Sequence, residues 1–449
     1  MILTIDCGST NLKAALFDEQ LRRVAERSVP VQYSLRDTER VEFDPERFWK
    51  DCLALLRQIP APAPIDTVTL TSQAQTFTVL DGQGRARVPF YSWMDKRATA
   101  ESDEIQQRLG DGFHRHCSFP TPVAFLQSAK VLWVRRHQPQ AFAGDARVVS
   151  LPEFVAMRLA GVNVVDRNVS AMSGLYSLAQ AGWWDEALEM CGLRPDQFGA
   201  LVDVGGSVPG TRAVDDLPLV RQPRIVMAGN DQTSGAFGTI GHSGGLVLTL
   251  GTALVVYRFA GTHPGPFAAS GCWGPYPGGG YYELATRGEG CAALDWAIGH
   301  LLPGTHPDKF REFGTSAPLG SALFFPHRMG LDGAWTGSDD TAARARAVVE
   351  GISFSARQLL TEDLGLQLGD KPVTVIGGGS RSRLWLQLLA DILNCPVQRG
   401  QGDNLLGSAL MAAQSGPPSA AAATGDPLRP DPASVSDYAA LYQRWRAKL

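Results

Sequence analysis

Short apolar runs broken by small polar turns open the chain. Ile2–Ile5 is apolar and β-branched, Asp6-Cys7-Gly8-Ser9-Thr10-Asn11 interrupts it, and Lys13–Phe17 resumes. Asp18-Glu19-Gln20 then turns into Arg22–Val31, so the pattern predicts three strands. Asp44-Pro45 starts a helix, with Asp44 as N-cap and Pro45 in the first turn. Phe48, Cys52, Leu55 and Leu56 lie on one face of it. Val68–Leu70 reads as a buried strand running into Thr71-Ser72-Gln73-Ala74-Gln75. Residues 91–240 mix helices and loops, with helical spacing over Phe125–Arg136 and Pro152–Leu159. In mid-chain, Ile225-Val226-Met227-Ala228 gives way to Gly229-Asn230-Asp231-Gln232 and a small-residue segment that enters a helix. A strand end that delivers one Asp to the start of a helix is a way to hold a general base, although Asp is also a common cap and turn residue.

The opening pattern recurs. Leu246–Leu250, Gly251-Thr252 and Ala253–Phe259 are again strand, small-hydroxyl turn, strand, which suggests two related domains that each begin with a β-hairpin. Asp6 has no acidic counterpart there; Leu250 sits nearer its place. Ala342–Leu360 is a long helix ending near Glu362-Asp363-Leu364-Gly365. Val373–Ile376 is a buried strand leading to Gly377-Gly378-Gly379-Ser380, and Ser382–Leu393 and Leu405–Ala413 are amphipathic helices. Residues 416–434, rich in Pro, Ala and Ser, read as a surface loop, and Tyr438–Trp445 as a short terminal helix.

Composition narrows the function. The 449 residues suffice for two or three domains with cores. A net charge of -4 without a polybasic run argues against nucleic acid or an anionic membrane as partner. Seven well-separated cysteines, with no C-x-x-C, fit reduced thiols in a cytoplasmic protein better than a disulfide frame or zinc site. The N-terminus reaches an acid at once and lacks a basic segment, so no secretory leader is expected. Leu246–Phe259, broken by Gly251-Thr252 and holding Arg258, is too short to span a bilayer.

Three turns that follow strands are built of Gly, Ser and Thr: Gly8-Ser9-Thr10, Gly251-Thr252, and Gly377-Gly378-Gly379-Ser380. Each alone is ordinary turn chemistry. Together they suit phosphate oxygens, which need convergent N–H and O–H donors and a close backbone. Asp6 adds a carboxylate able to hold Mg²⁺, and Lys13 adds a cation. There is no Gly-Lys dipeptide and no G-x-G-x-x-G, which excludes a Walker loop and gives no support to a Rossmann or protein-kinase glycine loop. Gly241-His242-Ser243-Gly244-Gly245 fits the nucleophile-elbow pattern, but a strand rather than a helix follows it.

These residues resemble the FGGY carbohydrate kinases, a branch of the actin and hexokinase superfamily, over nearly the whole chain. Asp6-Cys7-Gly8-Ser9-Thr10-Asn11-Leu12-Lys13 is similar to the family's first phosphate turn, and Trp93-Met94-Asp95-Lys96-Arg97 to its W-x-D-x-R. Gly229-Asn230-Asp231-Gln232 resembles G-x-D-[NQ], whose Asp is the catalytic base, and Leu250-Gly251-Thr252 the second phosphate turn. Arg346-Ala347-Val348-Val349-Glu350-Gly351 and Gly377-Gly378-Gly379-Ser380-Arg381-Ser382 match two later motifs, the second being the adenosine turn. The resemblance implies an α/β protein of two actin-like (ribonuclease H-like) domains, residues 1–237 and 238–449, each with a mixed five-stranded sheet, flanking an interdomain cleft. It implies phosphoryl transfer from ATP with Mg²⁺ to a small sugar or polyol, a ketopentose such as xylulose or ribulose first. In that reading Asp231 is the base, and Asp6 with Asp231 faces the metal. Ser9, Thr10, Lys13, Gly251 and Thr252 hold phosphates, and Gly378, Gly379 and Ser382 hold adenosine. Gln73, Gln75, Trp93, Asp95 and Asp231 face the sugar. Family members are often dimers, which keeps a homodimer open. Ala74-Gln75 and Pro152-Glu153 depart from the family pattern on the substrate side, so glycerol, erythritol, a hexulose or an aldonate stay open as substrates. A partner-driven ATPase and a non-catalytic sugar-binding regulator are the competing classes.

Overall fold

The computed structural model describes every residue except 264, 266 and 415–423. β1 (Ile2–Cys7) pairs antiparallel with β2 (Asn11–Phe17), and β2 with β3 (Arg23–Pro30), so the opening runs form a meander. Asp6 and Cys7, expected in the turn, are the last residues of β1. β4 (Ile65–Ser72) lies parallel to β1 on its other side. β5 (Ser207–Pro209) edges the sheet against β6 (Leu219–Asn230), which is parallel to β4. The order is β5-β6-β4-β1-β2-β3.

The second sheet repeats this plan. β7 (Leu246–Leu250) and β8 (Leu254–Gly261) form a hairpin. β9 (Cys272–Pro275) and β10 (Tyr281–Arg287) extend it beyond β8, and β11 (Val373–Ile376) and β12 (Val397–Arg399) follow in parallel beyond β7. Five strands correspond one to one with the same directions: β3-β2-β1-β4-β6 against β10-β8-β7-β11-β12. The echo of two hairpins in the sequence is therefore a doubled scaffold. The sheets hold six and seven strands rather than five, because β5 edges the first and β9 and β13 (Thr424–Leu428) edge the second.

Helices cover both sheets. α1 (Pro45–Leu56) starts as its sequence predicts: the Asp44 carboxylate accepts the Arg47 N–H at 2.6 Å, and Phe48, Cys52, Leu55 and Leu56 are buried. With α2 (Gln127–His137) and α3 (Leu151–Ala160) it belongs to the first half. α3 and α1 bury Ile5, Leu70 and Met227 of the first sheet. α4 (Asp231–Ile240) leads out of β6. The turn Gly241–Ser243 then runs into a strand, so no nucleophile elbow forms. α5 (Thr341–Gln358), α6 (Arg383–Leu393) and Trp385 pack on Leu248, Val256 and Val375 of the second sheet.

α7 (Asn404–Ala412) crosses back to the first half and packs on α4 and β1. A Cβ at Gly407 would stand 1.8 Å from the Ser234 carbonyl oxygen, so only glycine permits this approach. Of the loop expected over 416–434, residues 416–423 lie outside the described residues. The remainder holds β13 and the start of α8 (Pro432–Arg446), which begins six residues before Tyr438. Asp431 caps α8 and Pro432 occupies its first turn, so composition typical of loops here serves as a helix start.

A side sheet of five short strands went unread in the sequence. It runs in the order Leu35–Arg36, Val41–Phe43, Phe90–Tyr91, Phe77–Leu80, Arg147–Ser150. Strands of two to four residues show too little alternation to be seen.

Candidate active site

Three parallel strands of the first sheet end side by side, with Ser72 in register with both Cys7 and Asn230. Each end leads into chemistry: β1 into the Gly8-Ser9-Thr10 turn, β4 into Gln73-Ala74-Gln75, and β6 into Asp231. The carboxyl edge of parallel strands is where α/β proteins place ligands, because the loops there can vary without disturbing the core.

Asp6 is buried and pairs across the hairpin with Lys13. Asn404 Nδ2 donates to its Oδ2 at 3.2 Å, while Oδ1 is buried with no hydrogen-bond partner among the described residues. Burial pushes this carboxyl up to about 7, and the neighbouring Asp231 charge adds to the rise against Lys13 and Asn404. An unpartnered buried carboxylate oxygen beside a second acid suits a hard cation. No cluster of three potential metal ligands of the His, Cys, Asp or Glu type is present among the described residues, so most of such an ion's shell would come from water and substrate.

Asp231 is the first residue of α4 and is partly buried. The preceding Asn230 caps the helix, accepting the Thr233 N–H at 3.0 Å. Asn230 is itself fixed by Asn168, whose Oδ1 accepts its backbone and side-chain N–H at 3.0 and 2.7 Å. Asn168 Nδ2 donates to Thr233 Oγ1 (2.9 Å) and to the Pro275 carbonyl (2.8 Å), and Thr233 Oγ1 meets the Tyr257 hydroxyl (2.9 Å). The orientation of Asp231 is thus tied to the second sheet. Burial raises its carboxyl to about 6, opposed by the Gln232 N–H, its own N–H and Lys13.

In the first turn, the Ser9 carbonyl accepts from Tyr33 OH at 2.5 Å and the Thr10 carbonyl from Val31 N at 3.0 Å. Neither hydroxyl has a partner among the described residues. Gln73 braces this turn: its backbone N–H reaches the Cys7 carbonyl (3.1 Å), its Nε2 the Gly8 carbonyl (3.2 Å), and its Oε1 accepts from Thr76 (3.1 Å). Gln75 is 7% exposed, has φ +55°, and its side-chain amide has no partner among the described residues. Trp93 is 40% exposed, and its N–H donates to Thr76 Oγ1.

Asp95 lies behind this wall. It is fully buried, accepts the Val41 N–H at 2.8 Å, and is gripped by the Arg97 guanidinium at 2.7 to 3.1 Å. Arg97 stands two residues along and folds back onto it, so this carboxylate braces the Trp93 loop from inside. Glu153 is also internal: with Ser150 it forms a capping box at the start of α3.

On the second sheet, the Gly251-Thr252 turn follows β7 and the Gly377–Ser380 turn follows β11. The Gly251 carbonyl accepts Cys291 N–H (2.7 Å), and the Thr252 carbonyl accepts Gly290 and Ala292 N–H (3.1 Å each), so the helix Cys291–Leu301 backs the turn. Gly377 has φ +90°, and a Cβ there would stand 2.6 Å from the Leu250 carbonyl oxygen, which sets the two turns against each other. Gly378 is open, Gly379 is buried, and Ser382 caps α6 through Trp385 N–H. Arg346 and Glu350 pair at 2.7 Å, and Arg346 also reaches Tyr438, a brace within the helices of this half.

The fold therefore gathers Asp6, Lys13, Asp231 and the first turn in one place. It gathers Gly251, Thr252, Gly378, Gly379 and Ser382 in another. The two edges are joined where β12 runs through Gly400–Asp403 to Asn404 at Asp6. Asn404 and Asn168 escaped the sequence reading. Asp403 before Leu405 is a legible cap, but nothing local announces a contact between residues 398 positions apart.

Two lobes of one topology, with acids on one edge and glycine turns on the other, define a two-lobed actin-like kinase architecture. Residues 1–238 match the N-terminal domain, and residues 318–415 the C-terminal domain, of the FGGY family of carbohydrate kinases, and the chain belongs to this family. It is 26% identical over 440 residues to the xylulose kinase of Escherichia coli (strain K12), covering 92% of this chain and 89% of that one. It is 26% identical over 431 residues to a glycerol kinase of Gloeobacter violaceus, covering 89% and 84%. The crystal structure of ligand-bound xylulose kinase from Lactobacillus acidophilus superposes with TM-score 0.88 at 20% identity, over 100% of this chain and 98% of that one. The protein is a sugar kinase.

Proposed function

We propose that the enzyme transfers the γ-phosphoryl group of ATP to a hydroxyl of a ketopentose such as xylulose or ribulose. The observation that carries the reading is the acidic pair at the ends of β1 and β6, with a free buried oxygen on Asp6 and Asp231 at a helix start. Asp231 takes the proton of the attacking hydroxyl as the new O–P bond forms and the bond to ADP breaks. A carboxyl raised to about 6 is ionised at neutral pH yet a better base than an exposed Asp, so activity should fall as pH drops below about 6. Asp6, with Asp231 opposite, would hold Mg²⁺ through its water shell; the ion would neutralise phosphate charge.

Ser9, Thr10, Lys13, Gly251 and Thr252 hold the phosphates, and Gly378, Gly379 and Ser382 the adenosine. Gln75, with its unpartnered amide, and Trp93 face the sugar. Gln73 and Asp95 serve that wall from behind. The division of labour runs between residues 1–237 and 238–449, and closure of the two domains keeps water from the γ-phosphate. The relatives named xylulose kinase support a ketopentose; those named glycerol kinase keep a polyol as the second reading.

The test is ADP release from MgATP against ketoses, polyols and aldonates, with a sugar-free blank. A ketopentose should raise the rate far above the blank. A polyol or aldonate doing so instead would overturn the substrate, and a high blank unaffected by every sugar would overturn sugar as the acceptor.

A further inference from the structure

Lys130 is a lysine without a carboxylate partner among the described residues, and it is buried to 1% exposure in the fourth position of α2. Its ammonium donates to three backbone carbonyls: Gln75 at 2.9 Å, Ser92 at 2.6 Å and Tyr91 at 3.4 Å. Its stem passes the Phe77 ring, with Nζ 5.8 Å from the centroid. An ammonium has three donors in a tetrahedral array, and here three carbonyls from two loops converge on it. Burial lowers its pKa to about 7, with the Asp95 charge opposing and the Arg97 charge assisting; the three carbonyls supply the acceptors that a buried amine needs.

The two loops are those of the proposed sugar wall. Gln75 is in the left-handed region, φ +55°, where a non-glycine residue is strained. Its carbonyl bonds inward to Lys130, while its side-chain amide stays unpartnered. Ser92 directly precedes Trp93. The loops already touch through Trp93 N–H to Thr76 Oγ1 (3.1 Å) and Ser92 Oγ to Gln73 Oε1 (3.4 Å). Lys130 is the only described side chain that ties the Gln75 carbonyl to the Ser92 carbonyl.

We infer that Lys130 is a positioning residue for sugar recognition: it locks Gln75 in its strained conformation and fixes the Trp93 loop beside it, so that both face the acceptor ready-made. The Gly251 and Gly377 turns lie on the other sheet, so nucleotide binding does not depend on Lys130. The inference rests on the sugar-side assignment made above.

Lys130→Met keeps the length and the apolar stem but removes the three donors. With the sugar that the wild type phosphorylates, KM for sugar should rise about tenfold or more while KM for ATP stays within about twofold. Lys130→Arg should not rescue it, because a planar fork cannot cap three convergent carbonyls. Hydrogen exchange of the intact variant supplies a second readout: amides 73–77 and 92–95 should exchange faster, with the strands of the second sheet unchanged. Unchanged sugar KM with unchanged exchange in those loops overturns the inference, as does an equal rise in both KM values. If Lys130→Met does not fold, Lys130→Gln, which keeps an amide donor but not the three-donor ammonium, must show the same split between the two KM values. A wild type that phosphorylates no sugar would instead sink the sugar assignment itself.

Discussion

The carboxyl edges of the two sheets share one topology and carry opposite chemistry. In the first, the pair next to the hairpin end is Asp6 and Lys13; in the second, the pair next to the end is Thr249 and Val255. β6 leads into Asp231, whereas its counterpart β12 leads into Gly400. The first edge thus supplies buried charge and the second supplies backbone N–H groups and open space. A doubled scaffold does not double the function. On the proposed reading, the first lobe keeps the acids near the acceptor and shares the phosphates with the second, which contributes small turns and no carboxylate.

The sharpest way to break this comparison is at Asp231. Asp231→Asn keeps the cap and the shape but cannot accept a proton, so turnover should fall about 10³-fold while sugar binding, measured by calorimetry, persists. Near-normal turnover would move the chemistry elsewhere. Asp6→Ala should weaken the Mg²⁺ dependence of the rate; a Mg²⁺ titration identical to wild type would take Asp6 out of the ion's shell.

Gly377→Ala probes the other edge. It forces a Cβ to within 2.6 Å of a backbone oxygen at φ +90° and should lower stability by ~1–3 kcal/mol. KM for ATP should rise with little change for sugar. A change confined to sugar would put nucleotide on the wrong lobe.

The smallest effect on activity is expected at a buried acid outside the site. Burial lifts Glu153 from 4.5 to about 7. The protonated form is favoured in the fold, so its stabilisation is present below pH 4.5 and is lost as pH rises through 7. Glu153→Gln is neutral throughout. Its melting temperature relative to wild type should therefore climb between pH 5 and pH 8, by the equivalent of at most ~3 kcal/mol. A constant difference across that range would show that Glu153 is ionised in the fold.

The residues differ in how legibly they announced themselves. Asp231 could be read because a strand, a turn and a helix start lie within one dozen residues. The α1 cap at Asp44 and the paired hairpins could be read for the same reason: the causes are local in sequence. Asp95 could not be placed, since its motif says nothing of Arg97 folding back to enclose it. The side sheet was invisible because its strands are too short to alternate.

The sequence by itself determined the strands that open each half and those that run into the small turns, the doubling of the hairpin, the candidate acids and the family resemblance. All of these rest on periodicity, caps and short motifs that need no distant partner. The tertiary structure alone decided which acids have a cation beside them, that Asn404 reaches Asp6, that Asn168 holds Asn230 next to Asp231, and that Lys130 lies under the Gln75 loop. Those outcomes depend on burial and on contacts between segments tens to hundreds of residues apart, which local pattern does not encode.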